Sequence, residues 1–202
     1  MKTKAAKALL DTGAVFFRPE EPFIWASGIK SPVYTDNRLV LTSPDARKVI
    51  EESLIDLIRT TYPQAEALFG TATAGIPHAA IAGYAMDLPM GYVRSGAKDH
   101  GRANRIEGRV VKGQKVVVIE DLISTGGSCI EAAKALQEAG ADVLGAICIF
   151  SYNLEKSREA FAEAGLEYHS LTDFDTVART AADTGYISES NMDQLMEFRD
   201  SL

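Results

Sequence analysis

The residue types that can do chemistry concentrate in one stretch. Glu120 and Asp121 stand together, Leu122 and Ile123 follow, and then come five small residues, Ser124, Thr125, Gly126, Gly127 and Ser128. Ionised Glu120 and Asp121 only accept hydrogen bonds, which suits the vicinal hydroxyls of a ribose. The five small residues can aim backbone N–H groups and hydroxyls at one point, at the positive end of a helix, and that arrangement suits a phosphate monoester. Glycine belongs there because phosphate oxygens approach the backbone where a Cβ would collide. An acid pair followed by an anion cradle describes a sugar phosphate. The stretch is neither a Walker loop nor a dinucleotide fingerprint, since it has no Gly-Lys-Ser/Thr and no G-x-G-x-x-G. The competing reading is an ordinary strand-to-helix turn with a chance acid pair.

Three other segments carry functional residue types. Residues 95–104 form a polar loop with Gly96 and Gly101, and Arg94, Lys98, His100 and Arg102 lie in or beside it. It reads either as a clamp for a diphosphate, with the glycines as hinges, or as a solvated hairpin tip. Residues 71–77 turn from a short strand into a helix through small residues, a second possible anion cradle without acids; His78, just inside that helix, reads as a surface or capping histidine. Residues 23–38 mix aromatic, glycine and polar types, which fits a pocket lid, a β-hairpin with a tight Ser-Gly turn, or both.

These residues must be positioned by an α/β framework. Val116, Val117, Val118 and Ile119 read as an interior parallel strand buried on both faces. Ile130, Ala133, Leu136 and Gln137 then give a helical pattern ended by Gly140. In such a strand–loop–helix unit, ligands sit at the strand's carboxyl end. Helices are expected over 2–12, from Ser43-Pro44 to Pro63, over 79–86, over 154–164, and twice after Asp173, with Asp173 and Ser188 as caps. Strands are expected over 15–17, 67–70, 89–94, 105–111, 143–150 and 167–171. This alternation implies a mainly parallel sheet covered on both faces.

With 202 residues, 46% hydrophobic and 24% charged, the chain suits one sizeable core. The net charge of −7 argues against a general nucleic-acid binder. No apolar run reaches membrane-spanning length, the first residues lack the apolar centre of a signal peptide, and Cys129 and Cys148 suggest neither metal spacing nor a disulfide framework. A cytoplasmic setting is expected. Cys129, near a helix start, could be mildly activated, though packing is its expected role.

The stretch from Glu120 to Ser128 closely resembles the phosphoribosyl-diphosphate (PRPP) signature of the type I phosphoribosyltransferase family. Ser27-Gly28-Ile29-Lys30-Ser31-Pro32 with Tyr34, and Lys98-Asp99-His100-Gly101, extend the resemblance over nearly the whole chain. Those two segments point to the orotate branch and away from purine-salvage relatives. The resemblance implies a single domain over residues 1–202: a central mainly parallel sheet flanked by helices, about residues 41–202, with a small N-terminal hood mainly from 1–40. It implies transfer of the 5-phosphoribosyl group from PRPP to orotate, giving orotidine 5′-monophosphate and diphosphate in pyrimidine (UMP) biosynthesis. It also implies a homodimer whose mobile loop crosses into the neighbour's site. Mg²⁺ is the expected cofactor, held mainly through substrate oxygens and water rather than by protein ligands of its own.

Matched residue by residue, Arg94, Lys98 and His100 fall on diphosphate-binding positions, and Lys98, His100 and Asp121 are the catalytic candidates. Glu120, Asp121, Leu122, Ile123, Ser124, Thr125, Gly126, Gly127 and Ser128 fall on the PRPP motif, and Ser124 also on a position that touches orotate. Many members carry lysine where this chain has Ala26, Ala74 and Ser95, and arginine where it has Ser151-Tyr152-Asn153. Lys30 and Arg38 are the candidates for the replaced positive charge near the base. The alternatives are a purine-type transferase, disfavoured by the loop from Lys98 to Gly101, and a non-catalytic PRPP-binding regulator, disfavoured by the acidic balance.

Overall fold

The computed structural model describes residues 1–18, 20–24, 30–96 and 105–201. Helix α1 (Lys2–Asp11) buries Ala5, Ala6, Leu9 and Leu10 and so joins the main core, packing on later helices. Two small antiparallel pairs follow, β1 (Val15–Phe17) with β4 (Val33–Thr35), and β2 (Phe23–Ile24) with β3 (Lys30–Ser31). The second pair is the hairpin that the 23–38 pattern allowed; its connection, residues 25–29, lies outside the described residues. A short 3-10 turn (Asn37–Thr42), which the sequence pattern did not predict, starts where the Asp36 carboxylate accepts from Arg38 N.

Helix α2 (Pro44–Thr61) begins as its cap predicts, with Ser43 Oγ accepting from Ala46 N, and it buries Ile50, Leu54 and Ile58 along one stripe. The remaining elements alternate: β5 (Ala67–Thr71), α3 (Gly75–Met86), β6 (Met90–Val93), β7 (Ile106–Glu107), β8 (Lys115–Ile123), α4 (Gly127–Glu138), β9 (Asp142–Ser151), α5 (Glu155–Glu163), β10 (Tyr168–Asp173), α6 (Phe174–Asp183) and α7 (Glu189–Asp200).

The six-stranded sheet has the order β10-β9-β8-β5-β6-β7, parallel throughout except for β7. Strand β8 shows why it is central. Val117 and Ile119 enter the core formed with α1, α2, α3 and α6, while Val116 and Val118 enter the opposite core with Phe69, Ile130, Leu136 and Phe161. Both faces of one strand are therefore apolar, which is the sequence signature of an interior parallel strand.

Three expectations are corrected. The strand expected over 105–111 shrinks to Ile106–Glu107, because Gly108 turns the chain away at φ +113°. Strand β8 continues to Ile123, so the acid pair lies within the strand rather than beyond its end. Ser188 occupies the N-cap of α7 without capping it, its hydroxyl being held by the Ser190 and Asn191 side chains, whereas Asp173 caps α6 by accepting from Thr176 N at 2.9 Å.

Candidate active site

Strand order alone locates a crevice. After β5 the chain moves to one side, into β6; β8, β9 and β10 then lie in succession on the other side of β5. The carboxyl ends of β5 and β8 therefore flank the topological switch point, where open α/β sheets bind ligands. Glu120 and Asp121 belong to β8 at this crevice.

Glu120 is buried, at 6% exposure, and Asp121 is half-buried. Burial pushes the Glu120 carboxyl up to about 7, and the adjacent Asp121 charge pushes the same way. Hydrogen bonds from Thr71 and from Asp121 N, the latter at 3.1 Å, pull it down but do not prevail. Ser128 Oγ also donates to Glu120 Oε2, at 3.4 Å. The strand thus carries one carboxyl that titrates near neutrality beside a second, more accessible one.

The cradle follows at the start of α4. Gly126 is its N-cap, at φ +86°, with no side-chain cap and no acid in the first turn. The first N–H groups of α4 are therefore left for a ligand at the positive end of the helix. A Cβ on Gly126 would stand 2.5 Å from the Phe161 ring, so both backbone sign and space require glycine. Ser124 is half-buried, and Thr125, Gly127 and Ser128 are exposed.

Leu122 and Ile123 belong to the motif by position but not through their side chains. Leu122 packs on the main core, Ile123 is buried in the opposite one, and the Ile123 carbonyl accepts from Tyr152 N at 3.0 Å. Cys129 is buried and burial holds its thiol far above the ordinary range, so activation at the helix start is overturned by desolvation.

Other elements converge on the acid pair. The second small-residue loop leaves β5 beside it: Thr71 Oγ1 reaches the Ile119 carbonyl at 3.3 Å, and a cis peptide joins Ala72 to Thr73. A Cβ on Gly75 would stand 2.3 Å from the Ile119 carbonyl oxygen, so this loop lies hard against β8. Asn37 Nδ2 donates to the Asp121 carbonyl at 2.8 Å. Neither Asn37 nor Thr71 stands out in the sequence, because each acts through a contact far away along the chain.

The other sequence-derived candidates are placed as follows. Arg38 is exposed next to Asn37 and is paired with Asp36. Arg94 follows β6 and lies 3.7 Å from Glu107 in a partly exposed ion pair. Lys30 is exposed on β3, in the hairpin. Lys98 and His100 lie outside the described residues. His78 is not at the surface and caps nothing. It is fully buried, with Nδ1 2.6 Å from Glu51 Oε1 of α2, because α3 is apolar around its whole circumference and packs on both β5 and α2.

Oxygen donors at the crevice, Glu120 and Asp121, suit a hard divalent cation, and among the described residues no group of three His, Cys, Asp or Glu side chains could hold a metal by itself. Fold and site together define an α/β protein whose acid pair and uncapped helix start meet at a topological switch point.

A family model described as phosphoribosyl transferase domain matches residues 40–174. The chain is 54% identical over 199 residues to the orotate phosphoribosyltransferase of Bacillus subtilis (strain 168), covering 98% of this chain and 92% of that one. It is 51% identical over 195 residues to that of Streptococcus pneumoniae serotype 4 (strain ATCC BAA-334 / TIGR4), covering 96% and 93%. The crystal structure of orotate phosphoribosyltransferase from Aeropyrum pernix matches with a TM-score of 0.78 at 30% identity, over 91% of this chain and 99% of that one. The chain belongs to the phosphoribosyltransferase family, among the orotate phosphoribosyltransferases.

Proposed function

We infer that the protein transfers the 5-phosphoribosyl group from PRPP to orotate, releasing diphosphate and giving orotidine 5′-monophosphate in pyrimidine biosynthesis. The observation that carries this reading is the acid pair of β8 joined to the uncapped start of α4, on a chain about half identical to named orotate phosphoribosyltransferases along nearly its full length. Loss of diphosphate builds positive charge on the ribose, which the Glu120 and Asp121 carboxylates offset while accepting from its hydroxyls. Ser124, Thr125, Gly126, Gly127 and Ser128 hold the 5-phosphate. In this reading Arg94, Lys98 and His100 balance the charge on the departing diphosphate, and His100 donates a proton to it. Mg²⁺, held mainly through substrate oxygens and water, would supply further neutralisation of the diphosphate.

We also propose a homodimer whose loop carrying Lys98 and His100 reaches into the neighbouring site. No helix among the described residues is long and apolar enough to cross a membrane; a cytoplasmic setting is proposed from the likeness to biosynthetic transferases. The test is orotate consumption with PRPP, with and without Mg²⁺, beside a panel of purine bases. Turnover of a purine in place of orotate would move the chain to the purine-type reading. Tight PRPP binding without diphosphate release would make it a sensor.

A further inference from the structure

We infer that Arg38, clamped by Asp36 and set against the acid pair by Asn37, is the side chain that recognises the carboxylate of the acceptor base. The inference rests on the orotate-transfer reading above and deepens it. A base joined to the ribose must lie beside the carboxylates that hold that ribose, and a guanidinium there gives an acidic base its strongest, charge-assisted contact.

The geometry selects Arg38. The bond from Asn37 Nδ2 to the Asp121 carbonyl, 2.8 Å long, fixes the backbone at residue 37 against β8. Asn37 is itself buried, at 1% exposure, so this anchor is not a surface accident. The next residue, Arg38, lays its fork on Asp36, with Nε–Oδ1 at 2.6 Å and Nη2–Oδ2 at 2.8 Å. Asp36 Oδ1 also accepts from Arg38 N at 3.2 Å, so one carboxylate both starts the 3-10 turn and aims the guanidinium. Asp36 engages two of the five guanidinium N–H donors, and the side chain is 64% exposed, so the outer edge of the fork is open to a ligand. The clamp pre-orients that edge and reduces the ordering cost on binding.

The surroundings agree. Arg38 lies in the field of Tyr34 and Asp121 as well as of Asp36, each of which favours its charged form. Tyr34, which acts on the Arg38 charge, pairs with Phe23, ring centroids 5.5 Å apart, and the two offer an aromatic surface suited to a planar base. The rival positions are committed elsewhere. After β9, Tyr152 is buried against Phe150 and Phe174 and meets Thr35 Oγ1 at 3.3 Å. Arg158 is turned onto the Asn153 carbonyl and side-chain oxygen, both at 2.9 Å. Lys30, the other sequence candidate, lies on β3 of the hairpin, whereas Arg38 directly follows the residue bonded to Asp121.

The test is steady-state kinetics on the full chain, with orotate and PRPP varied separately, for wild type, Arg38→Gln, Arg38→Lys and Asp36→Asn. Arg38→Gln is expected to raise the orotate KM at least about tenfold, the loss of one charge-assisted contact, and to leave the PRPP KM within about twofold. Arg38→Lys restores only part of that loss, because an ammonium cannot reproduce the fork. Asp36→Asn, which loosens a positioning residue, gives a smaller rise confined to orotate. If Arg38→Gln fails to fold by circular dichroism, the size-conserving Arg38→Lys carries the same KM comparison. An unchanged orotate KM in a folded Arg38 variant, with wild type active on orotate, overturns this assignment alone. Equal rises in both KM values assign Arg38 to PRPP and also overturn it. A wild type that consumes no orotate overturns the transfer reading and this inference together.

Discussion

Glu120 should release a proton when the ribose phosphate binds. Its carboxyl titrates at about 7 because burial disfavours the anion and Asp121 adds its charge. A ribose hydroxyl can donate to it fully only when it is ionised. The ionised fraction falls from about ten-elevenths at pH 8 to about one-eleventh at pH 6, so the affinity for ribose 5-phosphate should fall about tenfold over that range. Calorimetry at pH 7, in buffers of different ionisation enthalpy, should show release of about half a proton on binding. The phosphate also titrates near pH 6, so inorganic phosphate is measured in parallel and its contribution subtracted.

The same shift has a sign for stability. Between the ordinary glutamate value of about 4.3 and about 7, the folded state holds a proton that the unfolded chain has released. Stability therefore falls as pH rises through that window, by an amount on the order of 3–4 kcal/mol shared with Asp121. Glu120→Gln should abolish both the excess proton release and this slope, leaving a variant more stable than wild type at pH 8 but weaker in ribose binding. A variant with wild-type proton release and pH dependence would refute the reasoning.

Three further outcomes are expected. His78→Ala leaves Glu51 buried without its partner and should cost about 3–5 kcal/mol in denaturant unfolding; the paired His78→Leu, Glu51→Leu variant should recover most of it, and failure to recover would show that the bond itself is not the source. Gly126→Ala, at φ +86° and pressed on Phe161, should cost about 1–3 kcal/mol and weaken inorganic phosphate binding; a variant with unchanged melting and binding would remove the steric argument. Lys98→Ala should cut turnover by roughly a hundredfold or more with the melting temperature preserved, and near-normal turnover would take that loop out of the mechanism.

What the sequence determined by itself is what short-range pattern can encode. Four β-branched residues at 116–119 mark an interior strand, Ser43-Pro44 a helix start, and an acid pair ahead of five small residues the strand-to-helix turn of the candidate site, each because the physics involves neighbours along the chain. Tertiary structure alone decided which carboxyl of the pair is buried, since the burial of Glu120 depends on packing brought in by other elements. It also moved His78 from the surface to the core, a contact spanning α2 and α3 that no local pattern marks. Most consequentially, Asn37 reaches the Asp121 carbonyl across 84 residues, which sets the end of the 23–38 segment, legible in sequence only as a lid or a hairpin, against β8. Hydrogen bonds between distant segments follow from sheet order and helix packing, and those exist only once the whole chain has folded.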